Sequence, residues 1–140
     1  MTERRQPDPS EFRFWTEEKL RNRDTDQFSH VNNAAIASFF EAGRMEMLSG
    51  PDAAPLAVGA ILAVVRLLID FSRELFYPGR VRVGSSVTGV GNTSFGVRQA
   101  LFDGTDCVAT AEATCVLIDV AHKRPRRIPE ALRSYLLTAG

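Results

Sequence analysis

The chain carries one strong helical period, and it lies early. Ile36, Phe39, Phe40, Gly43 and Met47 recur at i, i+3, i+4, i+7 and i+11, which draws one apolar face on a helix. Ala34, Ala35, Ala37 and Ala42 place small residues on its other sides, so the helix reads as buried on more than one face. Asn32 or Asn33 can cap its start by accepting an amide hydrogen bond that the helix leaves open. Ser49-Gly50-Pro51 ends it, with Gly50 suited to the C′ position. The predicted helix spans about residues 33–49.

Beyond the helix the period changes to two. Gly59 to Arg73 is apolar and β-branched in its middle, although AILAVVRLLIDF is also long and Leu-rich enough to compete as a helix. Val81, Val83 and Val87 alternate with Arg80, Arg82 and Ser86. Phe95, Val97, Gln99 and Leu101 share one side of the next strand, and Val108 to Asp119 forms the last. Tyr77-Pro78-Gly79, Gly89 to Asn92 and Asp103-Gly104-Thr105 are the turns between them. Before the helix, Phe12 and Phe14 point to one side of an opening strand within Glu11 to Arg21, and a polar loop, NRDTDQFSHVN, covers 22–32. Short turns imply antiparallel neighbours. One helix with five strands is an α+β domain, the helix laid on one face of the sheet. The whole chain, 1–140, reads as a single domain, with a loose N-terminal arm at 1–10 and a short C-terminal helix within 128–140 that Pro129 opens.

Charge and cysteine usage narrow the class. Seventeen Lys+Arg balance seventeen Asp+Glu, so the formal net charge is zero, which argues against a duplex-binding protein and favours self-association. Cys107 and Cys115 are eight residues apart, about 26 Å along a strand, too far for a disulfide within it. The expectation is a reducing, cytoplasmic setting. Neither a signal peptide nor a membrane span is read from the sequence: the start lacks an apolar core, and Pro55 and Arg66 interrupt the most apolar stretch. No zinc-type Cys/His spacing is present, so no metal is expected.

The densest polar cluster is the loop before the helix, with Arg23, Asp24, Asp26, Ser29, His30, Asn32 and Asn33. A carboxylate beside a helix N-terminus can act as base or nucleophile while the open amides polarise a carbonyl. The plainer reading makes Asp24 and Asp26 turn residues and the two asparagines caps. Other residues also read two ways. Phe28, Phe39 and Phe40 line a pocket or belong to the core. Glu41 is a second acid or pairs with Arg44 along the helix. The run His122 to Arg127 is a solvated tail or a phosphate clamp.

Asp24-Thr25-Asp26, His30-Val31-Asn32-Asn33 and Phe39-Phe40-Glu41-Ala42-Gly43-Arg44 together resemble the D-x-D-x-x-G-H-V-N-N … F-x-E-x-x-R pattern of hotdog-fold acyl-CoA thioesterases, the 4-hydroxybenzoyl-CoA thioesterase-like group. Leu68 to Phe71 with Tyr77-Pro78-Gly79, Val90 to Phe95, and Arg127-Ile128-Pro129 extend the resemblance over about residues 10–135. Ser29 departs from it, standing where the family has Gly. The resemblance implies a five-stranded antiparallel sheet wrapped round the long helix, a homodimer and a homotetramer built from it, and hydrolysis of an acyl-CoA with no cofactor. Asp26 matches the catalytic carboxylate, the Asn33 amide the group that polarises the thioester, and His30 a helper. Asn92, Thr93 and Ser94, with Arg73 and Arg82, are the candidates to hold the CoA. The alternatives are an acyl-CoA or small-ligand binding module without turnover, and a hotdog dehydratase, for which His30 with Glu41 is a poor match.

Overall fold

The computed structural model describes residues 6–138. Strand β1 is Phe14–Lys19, helix α1 Asn33–Met47, and then come β2 Ala60–Phe71, β3 Arg80–Val90, β4 Ser94–Asp103, β5 Asp106–Asp119, the two-residue β6 Arg124–Pro125 and helix α2 Glu130–Leu137. The sheet order is β1-β3-β4-β5-β2, with β6 paired to β5 and every pair antiparallel. Ala60 to Phe71 is a strand and not the competing helix, because its whole length pairs with β5, from Ala60 opposite Asp119 to Phe71 opposite Ala109.

Helix α1 crosses the inner face of this sheet. Its first half packs Ile36, Phe39 and Phe40 against Val81, Val83, Leu101 and Val108. Its end places Met47 in a second cluster with Phe95, Val97 and Leu117, which α2 closes through Leu132 and Leu136. Burying each of the large side chains is worth about 1.5–3 kcal/mol. Gly43 lets the helix sit close: a methyl group there would stand 2.8 Å from Val83 Cγ1.

Several sequence expectations shift. The helix ends at Met47 with Leu48 as its C-cap, and Gly50 is not left-handed. Phe12 precedes the strand and packs with Phe102 and Cys107 on the outer face, whereas Phe14 joins the inner cluster around α2, so the two do not share a side. Of the arm at 1–10, residues 1–5 lie outside the described residues. Asp8 caps a single 3-10 turn at Pro9–Glu11. Residues 122–127 are a turn and the short β6 rather than a tail: Asp119 accepts the His122 amide and pairs with its ring, and Arg126 donates to the Val58 carbonyl at 2.7 Å. Both cysteines are buried free thiols.

Candidate active site

The loop between β1 and α1 is wound around two aspartates with different tasks. Asp24 is buried, and its carboxylate accepts the Arg21 amide at 2.8 Å, so it is a clamp of the loop, as the plainer reading had it. Asp26 is exposed. Its Oδ1 accepts two backbone amides, from Phe28 at 2.8 Å and His30 at 3.1 Å. Those bonds fix the direction of the carboxylate, and the described residues leave its other oxygen without a partner. Ser29, between the two donors, has φ 66, the left-handed conformation a glycine enters freely. Ser29 thus holds a backbone geometry that favours glycine, at a strain of about 1–2 kcal/mol.

Asn32, not Asn33, is the N-cap: its Oδ1 accepts the Ala35 amide at 3.0 Å. Asn33 is then the first helical residue, and its backbone N–H has no acceptor among the described residues. That amide carries part of the positive end of the α1 dipole, about half an elementary charge.

A cleft of about 500 Å³ brings these groups together. Asp26, His30, Asn32 and Asn33 line one side, and Phe71, Ser72, Arg73 and Glu74, where β2 runs out, line the other. His30 Nδ1 lies 3.4 Å from Glu74 Oε1, and its ring stands edge-on to Phe76, with centroids 4.8 Å apart. Arg73 pairs with Asp106 at 3.1 Å at the rim. At the β2 exit the sequence reading named Arg73 but missed its neighbours, Glu74 above all; the polar Ser72-Arg73-Glu74 at the end of an apolar strand was their only mark.

The remaining candidates lie elsewhere. Arg82 is on the outer face, because its neighbours Val81 and Val83 point inward. Its guanidinium sits 4.7 Å from the centre of the Trp15 ring, so the sheet separates it from the cleft. Asn92, Thr93 and Ser94 are at the far end of the sheet. Ser94 pairs with Val116, beside Ala63 of β2, eight residues and about 26 Å from Phe71. The Asn92 and Thr93 carbonyls hold Ile128 and Leu117 there. Phe39 and Phe40 are core, and Phe28 is 68% exposed. Arg44 turns inward to Gln99 Oε1 at 3.1 Å instead of pairing with Glu41. Among the described residues, no group of three or more His, Cys, Asp and Glu could hold a metal ion, and no helix is long and apolar enough to cross a membrane.

The chain has relatives among known proteins. Residues 20–136 match the model of the thioesterase-like superfamily, and the chain belongs to that family. It is 31% identical over 122 residues to the chloroplastic acyl-acyl carrier protein thioesterase ATL2 of Arabidopsis thaliana, a match that covers 84% of this chain and 64% of the plant protein. Among solved structures it resembles a Thermus thermophilus thioesterase complexed with coenzyme A and Zn, at 26% identity and TM-score 0.76 over 91% of this chain and 99% of that one. The structure of a predicted thioesterase from Bacillus stearothermophilus aligns with TM-score 0.78 at 25% identity, over 88% of this chain and 92% of that one. The curled antiparallel sheet around one long helix is the hotdog fold of these proteins.

Proposed function

We propose that the protein hydrolyses an acyl-CoA thioester to the free acid and CoA, with Asp26 as nucleophile or general base and the Asn33 amide polarising the thioester carbonyl. One observation carries this reading: a carboxylate anchored through a single oxygen shares a cleft with an open amide at a helix N-terminus. As nucleophile, Asp26 adds to the carbonyl, the thiolate leaves, and water cleaves the resulting anhydride. As base, it takes a proton from the water that adds. In both routes the negative charge on the carbonyl oxygen grows beside the Asn33 N–H, where a fixed dipole stabilises it most. His30, held between Glu74 and Phe76, positions the loop that carries Asp26.

The reading includes a homodimer. β2 is an edge of the sheet, and Ile61, Val64, Val65, Leu67, Leu68 and Phe71 are all exposed along it, a long apolar edge of the kind that proteins cover. Two copies pairing antiparallel through the exposed run Val64–Leu68 put Ile61 against the end of the partner's strand. A pair centred on Arg66 sets it opposite the partner's Phe71, and one centred on Leu67 opposite the partner's Arg73. The far end of one protomer then borders the cleft of the other. Asn92, Thr93 and Ser94 reach the CoA from the second copy, and Arg73 from the first. Arg82 has no part in it.

The test is thiol release from short, medium, long and aromatic acyl-CoAs, with an acyl-carrier-protein thioester beside them. Asp26→Asn retains an Oδ1 that accepts the Phe28 and His30 amides, so the loop stands while the carboxylate is lost. A fall of at least about 100-fold is expected. Unchanged turnover in the variant overturns the assignment of Asp26. Absence of turnover by the wild type with every ester overturns the enzyme reading in favour of binding alone. After a single turnover in oxygen-labelled water, label in the Asp26 carboxylate demonstrates the nucleophile route with water adding to the aspartyl carbonyl of the anhydride, whereas addition to the acyl carbonyl, like the base route, puts the label in the released acid.

A further inference from the structure

The basic run after β5 takes no part in the chemistry at Asp26. It begins in a tight turn closed by Asp119, whose Oδ1 accepts the Ala121 amide at 2.9 Å and the His122 amide at 3.2 Å, and whose carbonyl accepts the Lys123 amide at 2.8 Å. Lys123 completes the turn at φ 54, a left-handed conformation that costs energy for any residue with a Cβ. Some cations at this end of the sheet are spent on the fold. Arg126 Nη1 donates to the Val58 carbonyl at 2.7 Å, and Arg133 donates to the Val90 and Gly91 carbonyls at 3.0 and 2.8 Å. The nearby acids are engaged too: Asp119 with the His122 ring at 3.3 Å and Glu130 with Arg133 at 3.7 Å. Lys123 and Arg124 differ. Both are exposed, and among the described residues no carboxylate stands within ion-pair distance of either and no acceptor meets their side chains. The turn therefore presents two adjacent cations that nothing described on the chain neutralises.

Their place in the sheet gives them a direction. β6 takes over from β4 beside β5: Ser94 is opposite Val116, Pro125 opposite Ile118 and Arg124 opposite Asp119. Across β5, Asp119 is opposite Ala60. In the β2-paired dimer, a pair centred on Arg66 sets Ala60 opposite the partner's Ser72, and one centred on Leu67 opposite the partner's Glu74. Both positions line the cleft. From the partner's β2 to β6 is then three strand spacings, about 14 Å. The pantetheine arm of CoA has a backbone as long as four to five extended residues, about 15 Å.

We propose that Lys123 and Arg124 of one copy hold the nucleotide phosphates of the CoA whose thioester lies at Asp26 of the other, so that this protein selects CoA esters over carrier-protein esters. The inference rests on the hydrolase reading and its β2-paired dimer. The guanidinium meets phosphate oxygens through paired N–H groups, and the ammonium adds a compact charge beside it. CoA brings a diphosphate and a ribose phosphate to these cations. The arm of a carrier protein brings a single phosphodiester.

The test carries one acyl group on CoA, dephospho-CoA, phosphopantetheine, pantetheine and an acyl carrier protein, and follows thiol release. The expected kcat/KM falls at least about tenfold from the CoA ester to the pantetheine ester, with the two intermediate esters between them. Lys123→Gly removes one charge and suits the left-handed backbone; Arg124→Gln removes the other from an exposed side chain, so the doubly substituted protein keeps its fold. In that protein the CoA ester drops to within about threefold of the pantetheine ester. Wild type does the same in about 1 M salt, where screening acts within about 3 Å. Equal turnover of CoA and pantetheine esters by wild type overturns the proposal, as does a doubly substituted protein that still prefers the CoA ester; both leave the hydrolase reading in place. A carrier-protein ester turned over faster than the CoA ester also overturns it, and slowing of that reaction by the two substitutions would make the surface a protein dock instead. If no ester is turned over, the hydrolase reading has failed, and calorimetry with CoA and with pantetheine decides the proposal. CoA binding that the two substitutions weaken at least about tenfold sustains it; binding they leave unchanged, or no binding, overturns it.

Discussion

Gly43→Ala separates helix propensity from packing. In an isolated helix the change is favourable by about 0.8–1.0 kcal/mol. Here the new methyl group would stand 2.8 Å from Val83 Cγ1, 2.9 Å from Gln99 Nε2 and 3.2 Å from Ser85 Oγ. Val83 is fully buried and cannot turn away, and Gln99 is tied by two hydrogen bonds. Overpacking of this kind costs about 1–3 kcal/mol. Displacing the Gln99 amide adds about 1 kcal/mol for each hydrogen bond it loses. With the propensity gain subtracted, the net destabilisation is about 1–3 kcal/mol, or a fall in Tm of about 4–10 °C for a chain of this size. Urea unfolding followed by circular dichroism reads it directly. Gly50→Ala is the control: Gly50 has nothing within 4 Å of the position of a Cβ, so stability stays within about 0.5 kcal/mol of wild type. A Gly43→Ala variant as stable as wild type would refute the close seating of α1 on β3 and β4.

Ser29→Gly releases the left-handed strain of about 1–2 kcal/mol and loses part of it to a freer unfolded chain; stability in urea rises by up to about 1 kcal/mol while thiol release is retained. A lower midpoint would contradict the loop conformation. Asn32→Ala removes the cap of α1 and costs about 1 kcal/mol in the same titration, whereas Asn33→Ala, whose backbone amide survives, costs much less. Burial raises the thiol pKa of both Cys107 and Cys115 above the unfolded value. The stability they contribute is therefore full below about pH 8.5 and declines as pH rises through the folded values. A urea midpoint that holds steady into alkaline solution, or native thiols that react freely with a disulfide reagent at neutral pH, would contradict their burial.

The helix, the strands and the polar loop were legible in the sequence because each rests on local spacing: Ile36 to Met47 in threes and fours, Val81 and Val83 in twos. The buried network was also hinted at, since Gln99 falls on the inward side of a strand otherwise filled by Phe95, Val97 and Leu101. Local spacing could not show which ends meet. β2 pairs with β5 rather than with its chain neighbour β3, and that crossing carries Phe71 to Glu74 to the Asp26 loop and the Asn92–Ser94 turn to the opposite end. Parity decided between two similar arginines: Arg82 alternates onto the outer face, and Arg73, past the end of its strand, reaches the cleft. The separation of Phe12 from Phe14 depends on a bend at Arg13, whose amide bonds to Ser85 at 3.2 Å, and no local pattern announces it.

The Asn92–Ser94 turn and the Asp26 cleft lie toward opposite ends of β2, about 26 Å apart along the strand from Ala63 to Phe71, and that separation has a genetic consequence. If each catalytic centre draws its carboxylate from one polypeptide and its grip on CoA from the other, lesions at the two ends complement one another. A chain damaged at Asp26 and a chain damaged at the turn, each inactive alone, form a mixed pair in which one centre bears both defects and the other bears none. Random reassortment then restores about a quarter of the wild-type activity, the share expected when half the pairs are mixed and each keeps one whole centre.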